Sequence, residues 1–160
     1  MKTRANELDG KRRIRFTKED IKLATAMLDD VKTTIEMIYF LMNRGDEEAF
    51  VIILLDAGGA DIADLIDKQK RDTDILFELD EERHVYALVC QDTKVDGGYH
   101  FSERLLKVMR GEHIDAPYCI ELEVRNTVHD IKYLIYKSIR MLAEVRKENR
   151  FGEILFKTVH

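Results

Sequence analysis

Hydrophobic and polar positions change period several times along the chain, and each change marks an element. Thr17-Lys18-Glu19-Asp20 has the form of a capping box: the threonine hydroxyl accepts from the amide three residues on, the aspartate carboxylate reaches back, and Phe16 staples onto Ile21. A helix therefore starts there. Its apolar positions Ile21, Ala24, Leu28, Val31, Ile35, Ile38 and Met42 alternate steps of three and four, the spacing of a coiled-coil seam. The further apolar residues Leu23, Met27, Phe40 and Leu41 suit a long helix packed on its own domain equally well.

After a turn at residues 43–45, the run FVIILL at residues 50–55 is continuous and β-branched, as expected of a central strand buried on both faces. Gly58-Gly59 supplies a turn, and Ile62, Leu65 and Ile66 mark one face of a short helix ending near Lys70. Residues 75–79 and 84–90 then read as two antiparallel strands around the acidic turn Asp80-Glu81-Glu82-Arg83. Gly97-Gly98 and Ser102 precede a helix carrying Leu105, Leu106, Val108 and Met109, with Gly111 as its left-handed cap. Beyond Pro117, apolar Tyr118, Ile120, Leu122 and Val124 alternate with Cys119, Glu121 and Glu123, which predicts a strand with one wet face near an edge. Thr127 and Asp130 form a second capping box, Val128, Ile131, Ile135, Leu142 and Val145 carry a helix to about Asn149, and a last strand covers 153–159.

Two strand-helix-strand units joined by the central hairpin predict an α+β class: a ferredoxin-like, antiparallel-mixed sheet with helices on one face, preceded by a long N-terminal helix. The chain divides into a flexible basic arm (1–16), the N-terminal helix or coiled coil (17–44) and a domain at 45–160. Of the 160 residues, 45% are hydrophobic and 36% charged, and the longest apolar run is far too short for a bilayer. The start lacks an apolar export segment, so a cytoplasmic location and no membrane partner are expected. A net charge of -5 argues against nucleic acid, and Lys11, Arg12, Arg13 and Arg15 read as a solvated arm. Cys90 and Cys119 lack metal-ligand spacing and read as buried thiols. The five histidines show no helical pairing, and Asp61, Asp64 and Asp67 read as a solvated stripe, so neither metal nor cofactor is expected.

One constellation carries more. Arg71-Asp72-Thr73-Asp74 is followed by five residues and then by Asp80-Glu81-Glu82-Arg83-His84 in a hairpin turn, and SIRMLAEVRKENRF at residues 138–151 stands where a final helix follows. In that register, residues 50–159 resemble the GGDEF domain of diguanylate cyclases, which carries Arg-x-x-Asp, five residues, and Gly-Gly-Asp-Glu-Phe in the turn. In the last helix Leu142 and Arg150 match the family pattern and Arg146 replaces its lysine. A decoy for the signature, RGDEEAF at residues 44–50, lies too far from the final helix and has no Arg-x-x-Asp before it.

The resemblance makes 45–160 a degenerate GGDEF-like domain. Arg83 stands where the family's glutamate helps hold a divalent ion, and it cannot ligate a cation. Asp80 and Glu81 replace the two glycines and would repel a triphosphate. Asp56 either keeps the family's other metal-binding carboxylate or is simply a strand-end turn residue. No catalytic residues and no enzyme activity are therefore expected. The pair Arg71 and Asp74 matches the family's inhibitory site for cyclic di-GMP: an arginine fork suits guanine O6 and N7, and a carboxylate suits the N1 and N2 donors. Against it stands an exposed helix-end arginine beside a strand-start aspartate. The expected function is a non-catalytic signalling domain binding cyclic di-GMP through Arg71 and Asp74; the alternative is a ligand-free interaction or dimerisation module acting through a protein partner or a second copy.

Overall fold

Strand β1 (Phe50–Asp56) organises the molecule, because all seven of its residues are buried. The computed structural model describes residues 14–160; the expected basic arm falls largely on residues 1–13, outside that span. β1 pairs antiparallel with β3 (Val85–Gln91) on one side and with β4 (Tyr118–Val124) on the other. β2 (Asp74–Asp80) adds antiparallel to β3, and β5 (Ile154–Val159) adds parallel to β4. The result is a five-stranded mixed sheet in the order β2-β3-β1-β4-β5, of α+β class.

Five helices accompany it among the described residues: α1 (Lys18–Asp30), α2 (Lys32–Asn43), α3 (Ala63–Gln69), α4 (Val95–Gly111) and α5 (Ile131–Lys147). They cover both faces, not one. Phe50, Ile52 and Leu54 of β1 pack with Leu23, Met27, Ile35 and Leu142 from α1, α2 and α5. Val51, Ile53 and Leu55 pack with Ile66, Phe101, Leu105 and Met109 from α3 and α4. A strand whose first six residues are all apolar leaves two apolar faces, and each needs a cover.

The long N-terminal helix is divided in two. Thr17 caps α1 as expected, accepting from Asp20 N at 3.1 Å while its own amide donates to the Asp20 carboxylate at 2.9 Å. At Val31 the backbone stays near-helical (φ -99, ψ -24) and serves both as the end of α1 and as the cap of α2. Leu23, Met27, Val31, Ile35 and Ile38 are at most 2% exposed, inside the core. Of the heptad seam, Val31, Ile35 and Ile38 are buried, Ala24, Leu28 and Met42 pack partly buried against the same core, and Ile21 is 54% exposed; burial of a side chain such as Met27 contributes roughly 2–3 kcal/mol.

Three local expectations change for identifiable reasons. β4 lies one strand in from the edge strand β5, but its expected wet face is absent: Cys119, Glu121 and Glu123 are buried because α4 covers that face. α5 starts at Ile131 with Asp130 as its cap, Oδ1 accepting from Lys132 N at 3.0 Å, while Thr127 donates instead to Asn43 Oδ1 at 2.7 Å. The left-handed residue after α4 is His113 (φ 62), two positions beyond Gly111, which is still helical. No helix among the described residues is long and apolar enough to cross a membrane.

Candidate functional site

Arg71 and Asp74 meet at the turn between α3 and β2. Asp74 opens β2, and its carboxylate accepts from the Arg71 backbone amide at 2.9 Å, from Nε at 3.1 Å and from Nη2 at 2.8 Å. Arg71 Nη2 also reaches the Gln91 carbonyl at 2.7 Å and Thr93 Oγ1 at 2.6 Å. One guanidinium thus ties the α3–β2 turn to the β3–α4 turn. The arginine side chain is 53% exposed and the aspartate 3%. Only Arg71 faces solvent. The Asp74 oxygens are occupied by charge-assisted bonds, and Nη1 is the part of the fork with no protein partner among the described residues.

Beside Arg71 lies a cleft of about 310 Å³, whose lining includes Thr93, Lys94, Gly97, His100 and Arg104. Arg104 stands on α4 over the Phe101 ring, 5.2 Å from its centroid, and donates to Gln69 Oε1 at 3.2 Å and to the Gln69 carbonyl at 3.1 Å. Three basic side chains, Arg71, Lys94 and Arg104, line the cleft with two carboxylates, Asp74 and Asp92; Asp74 is paired with Arg71, and Lys94 Nζ stands 3.3 Å from Glu48 Oε2. The α4 N-terminus contributes its partial positive charge to the same space. Lys94, His100 and Arg104 were not singled out from the sequence; only their position around Gly97-Gly98 at a helix start hinted at them.

Under α4 the sheet holds two buried carboxyls. Glu123 accepts from Val95 N at 2.6 Å, Arg125 Nε at 2.8 Å and Thr158 Oγ1 at 2.8 Å, and so caps the first turn of α4 from a neighbouring strand. Burial pushes its pKa up, but the bonds from Thr158, the Val95 amide and Arg125 hold it below the usual carboxylate value. Glu121 is fully buried, and neither oxygen has a hydrogen-bond partner among the described residues. Burial first, then the charges of Glu123 and Asp96, push it up to about 8. It lies against Gly98, where an added Cβ would come 1.7 Å from Oε2, so only glycine fits this turn of α4.

The turn at residues 80–83 is closed on itself. Asp80 Oδ1 accepts from the amides of Glu82 and Arg83, each at 3.0 Å, and residues 81–83 are exposed. Asp56 sits in a buried ion pair: Oδ2 accepts from Arg146 Nε at 3.1 Å and Nη2 at 2.8 Å, and Oδ1 accepts from Gly58 N at 3.0 Å. Arg146 Nη1 is also 3.5 Å from Asp20, which joins α1, β1 and α5. Asp61 leaves the expected acidic stripe and converges with Glu78 and His84, ligand atoms within 4.8 Å of one another. No sequence signal links those three, because they are neighbours only through the fold. No family model and no curated protein matches the chain.

Proposed function

We propose that this chain is a non-catalytic, GGDEF-like regulatory domain that binds a guanine nucleotide, cyclic di-GMP by preference, in the cleft beside Arg71. The carrying observation is the guanidinium itself, held rigidly by Asp74 and the Gln91 carbonyl at the rim of a cation-lined cleft. Asp74 takes the role of anchor, and Arg71 reads the base. Its Nη1 edge offers one donor outright, and the Nη2 hydrogen on that edge becomes available when the Thr93 hydroxyl yields it, which suits guanine O6 and N7. Lys94 and Arg104 would then face the phosphates. The absence of turnover is proposed on the state of Asp56, neutralised by Arg146, and on Arg83 in the exposed turn.

Calorimetry with cyclic di-GMP tests the assignment. Wild type should bind, Arg71→Ala should weaken binding about ten- to a hundred-fold, and Arg71→Lys, which keeps the charge on Asp74 but loses the planar fork, should weaken it comparably. A wild type without heat or thermal shift removes the nucleotide role. A second reading, an interaction module without ligand, has one specific support: Met37 and Phe40 of α2 are 62% and 60% exposed. Light scattering on wild type and on Met37→Ser/Phe40→Ser separates the two, since a wild-type monomer removes the homodimer.

A further inference from the structure

Where the β2–β3 hairpin meets the loop leading into α3, the fold gathers a donor set that the nucleotide cleft does not use. Asp61 lies just before α3, Glu78 near the end of β2, and His84 immediately before β3. One ligand atom from each lies within 4.8 Å of the other two. We infer that Asp61, Glu78 and His84 bind one divalent transition-metal ion, Zn²⁺ fitting the donors best. Two carboxylate oxygens and one imidazole nitrogen match an ion of borderline softness, whereas Mg²⁺ and Ca²⁺ take oxygen sets.

Two observations beyond proximity point the same way. The His84 side chain is 21% exposed, but its Nδ1 is closed off from solvent and has no hydrogen-bond partner among the described residues. The nearest acidic atom, Glu78 Oε2, stands 3.8 Å away, too far for a hydrogen bond and wide enough for an ion between them. Independently, Asp61 is oriented from behind. The buried Tyr86 hydroxyl donates to Asp61 Oδ1 at 3.2 Å and itself accepts from Ile62 N at 3.1 Å. Outer partners of this kind fix ligand orientation in metal sites. Tyr86 also stands opposite Glu78 in the β2–β3 ladder, directly before the register slips between Glu78 and Asp80.

Ligands at about 2.1 Å from a tetrahedral ion stand about 3.4 Å apart, so a small inward movement of the carboxylates closes the site. Three protein ligands leave the fourth position to water. The bound ion would clip the loop before α3 to the hairpin. It lies near the opposite end of β2 from Asp74, so the two sites are separable.

Zn²⁺ binding to the full chain, measured by calorimetry and by competition with a chromophoric chelator, tests the assignment. His84 has φ 57, a left-handed backbone that asparagine tolerates, so His84→Asn removes the imidazole without straining the chain. Glu78→Gln and Asp61→Asn keep shape and remove charge. Wild type should take one equivalent of Zn²⁺ with a rise in melting temperature. Each variant should lose at least about tenfold in affinity, the low end for loss of a metal-site partner, and His100→Ala should bind as wild type. No stoichiometric binding by wild type, or undiminished binding by His84→Asn/Glu78→Gln, overturns the site and leaves only a histidine–carboxylate ion pair. Should a variant fail to fold by circular dichroism, nuclear magnetic resonance of wild type decides: saturating Zn²⁺ must shift the His84 ring nitrogens, and an unshifted His84 overturns the assignment.

Discussion

Substituting Glu121 by Gln should make stability less sensitive to pH, and the size of the change follows from the burial of that carboxyl. The folded protein holds Glu121 at about 8 against an ordinary 4.5. Below about pH 4.5 both folded and unfolded chains carry the proton, and the group contributes no difference. As pH rises from there the unfolded chain ionises while the folded one does not, so stability falls until the folded group also ionises near pH 8. A separation of this size corresponds to at most about 5 kcal/mol, and relaxation around a charged Glu121 brings a realistic figure to roughly 2–5 kcal/mol. Glutamine cannot titrate. Its buried amide carries a cost of its own, but that cost is constant with pH and cancels when the two proteins are compared across pH. Urea unfolding at about pH 5 and about pH 9 should therefore show the stability of Glu121→Gln relative to wild type rising by roughly 2–4 kcal/mol toward the higher pH. A difference flat to within about 0.5 kcal/mol would refute the buried, unpaired carboxyl.

Arg146→Met strands Asp20 and Asp56 in the interior and should cost about 3–5 kcal/mol in urea unfolding; a loss under about 1 kcal/mol would mean that the triad is solvated. Gly98→Ala should destabilise by about 1–3 kcal/mol despite alanine's better helix propensity, since its Cβ meets Glu121 and Val51, and the loss should shrink in a Glu121→Ala background. Burial pushes Cys119 up to about 12 and Cys90 higher still, so neither thiol should react with a disulfide reagent at neutral pH until denaturant is added. Rapid labelling of the native protein would contradict the packing of both strands.

The strands were legible where apolar runs left no alternative. The unbroken run of β1 announced burial on both faces, yet the one-sided placement of helices did not follow from it, and α1, α2 and α5 supply the missing cover. Heptad spacing at Val31, Ile35 and Ile38 shows that a helix has an apolar seam without showing what fills it, and here the partner is the chain's own sheet. Glu121 and Glu123 misled through the period-2 rule, which takes an alternating carboxylate for a wet face. The clue lay elsewhere, in Gly98, whose missing side chain makes room for Glu121. The Arg71–Asp74 pair was legible as a pair, but its closure into an ion pair depends on the Gln91 carbonyl and Thr93 from another turn. Asp61, Glu78 and His84 are separated by other elements, so neither spacing nor period could join them.

Nuclear magnetic resonance titration of the full chain with cyclic di-GMP tests the central claim most directly, because it reports both binding and its place. Saturable amide shifts are expected at Arg71, Thr93, Gly97 and Gly98, lost or strongly weakened in Arg71→Lys. An absence of shifts at ligand concentrations up to about 1 mM, or shifts confined to the hairpin turn at residues 81–84, would contradict it.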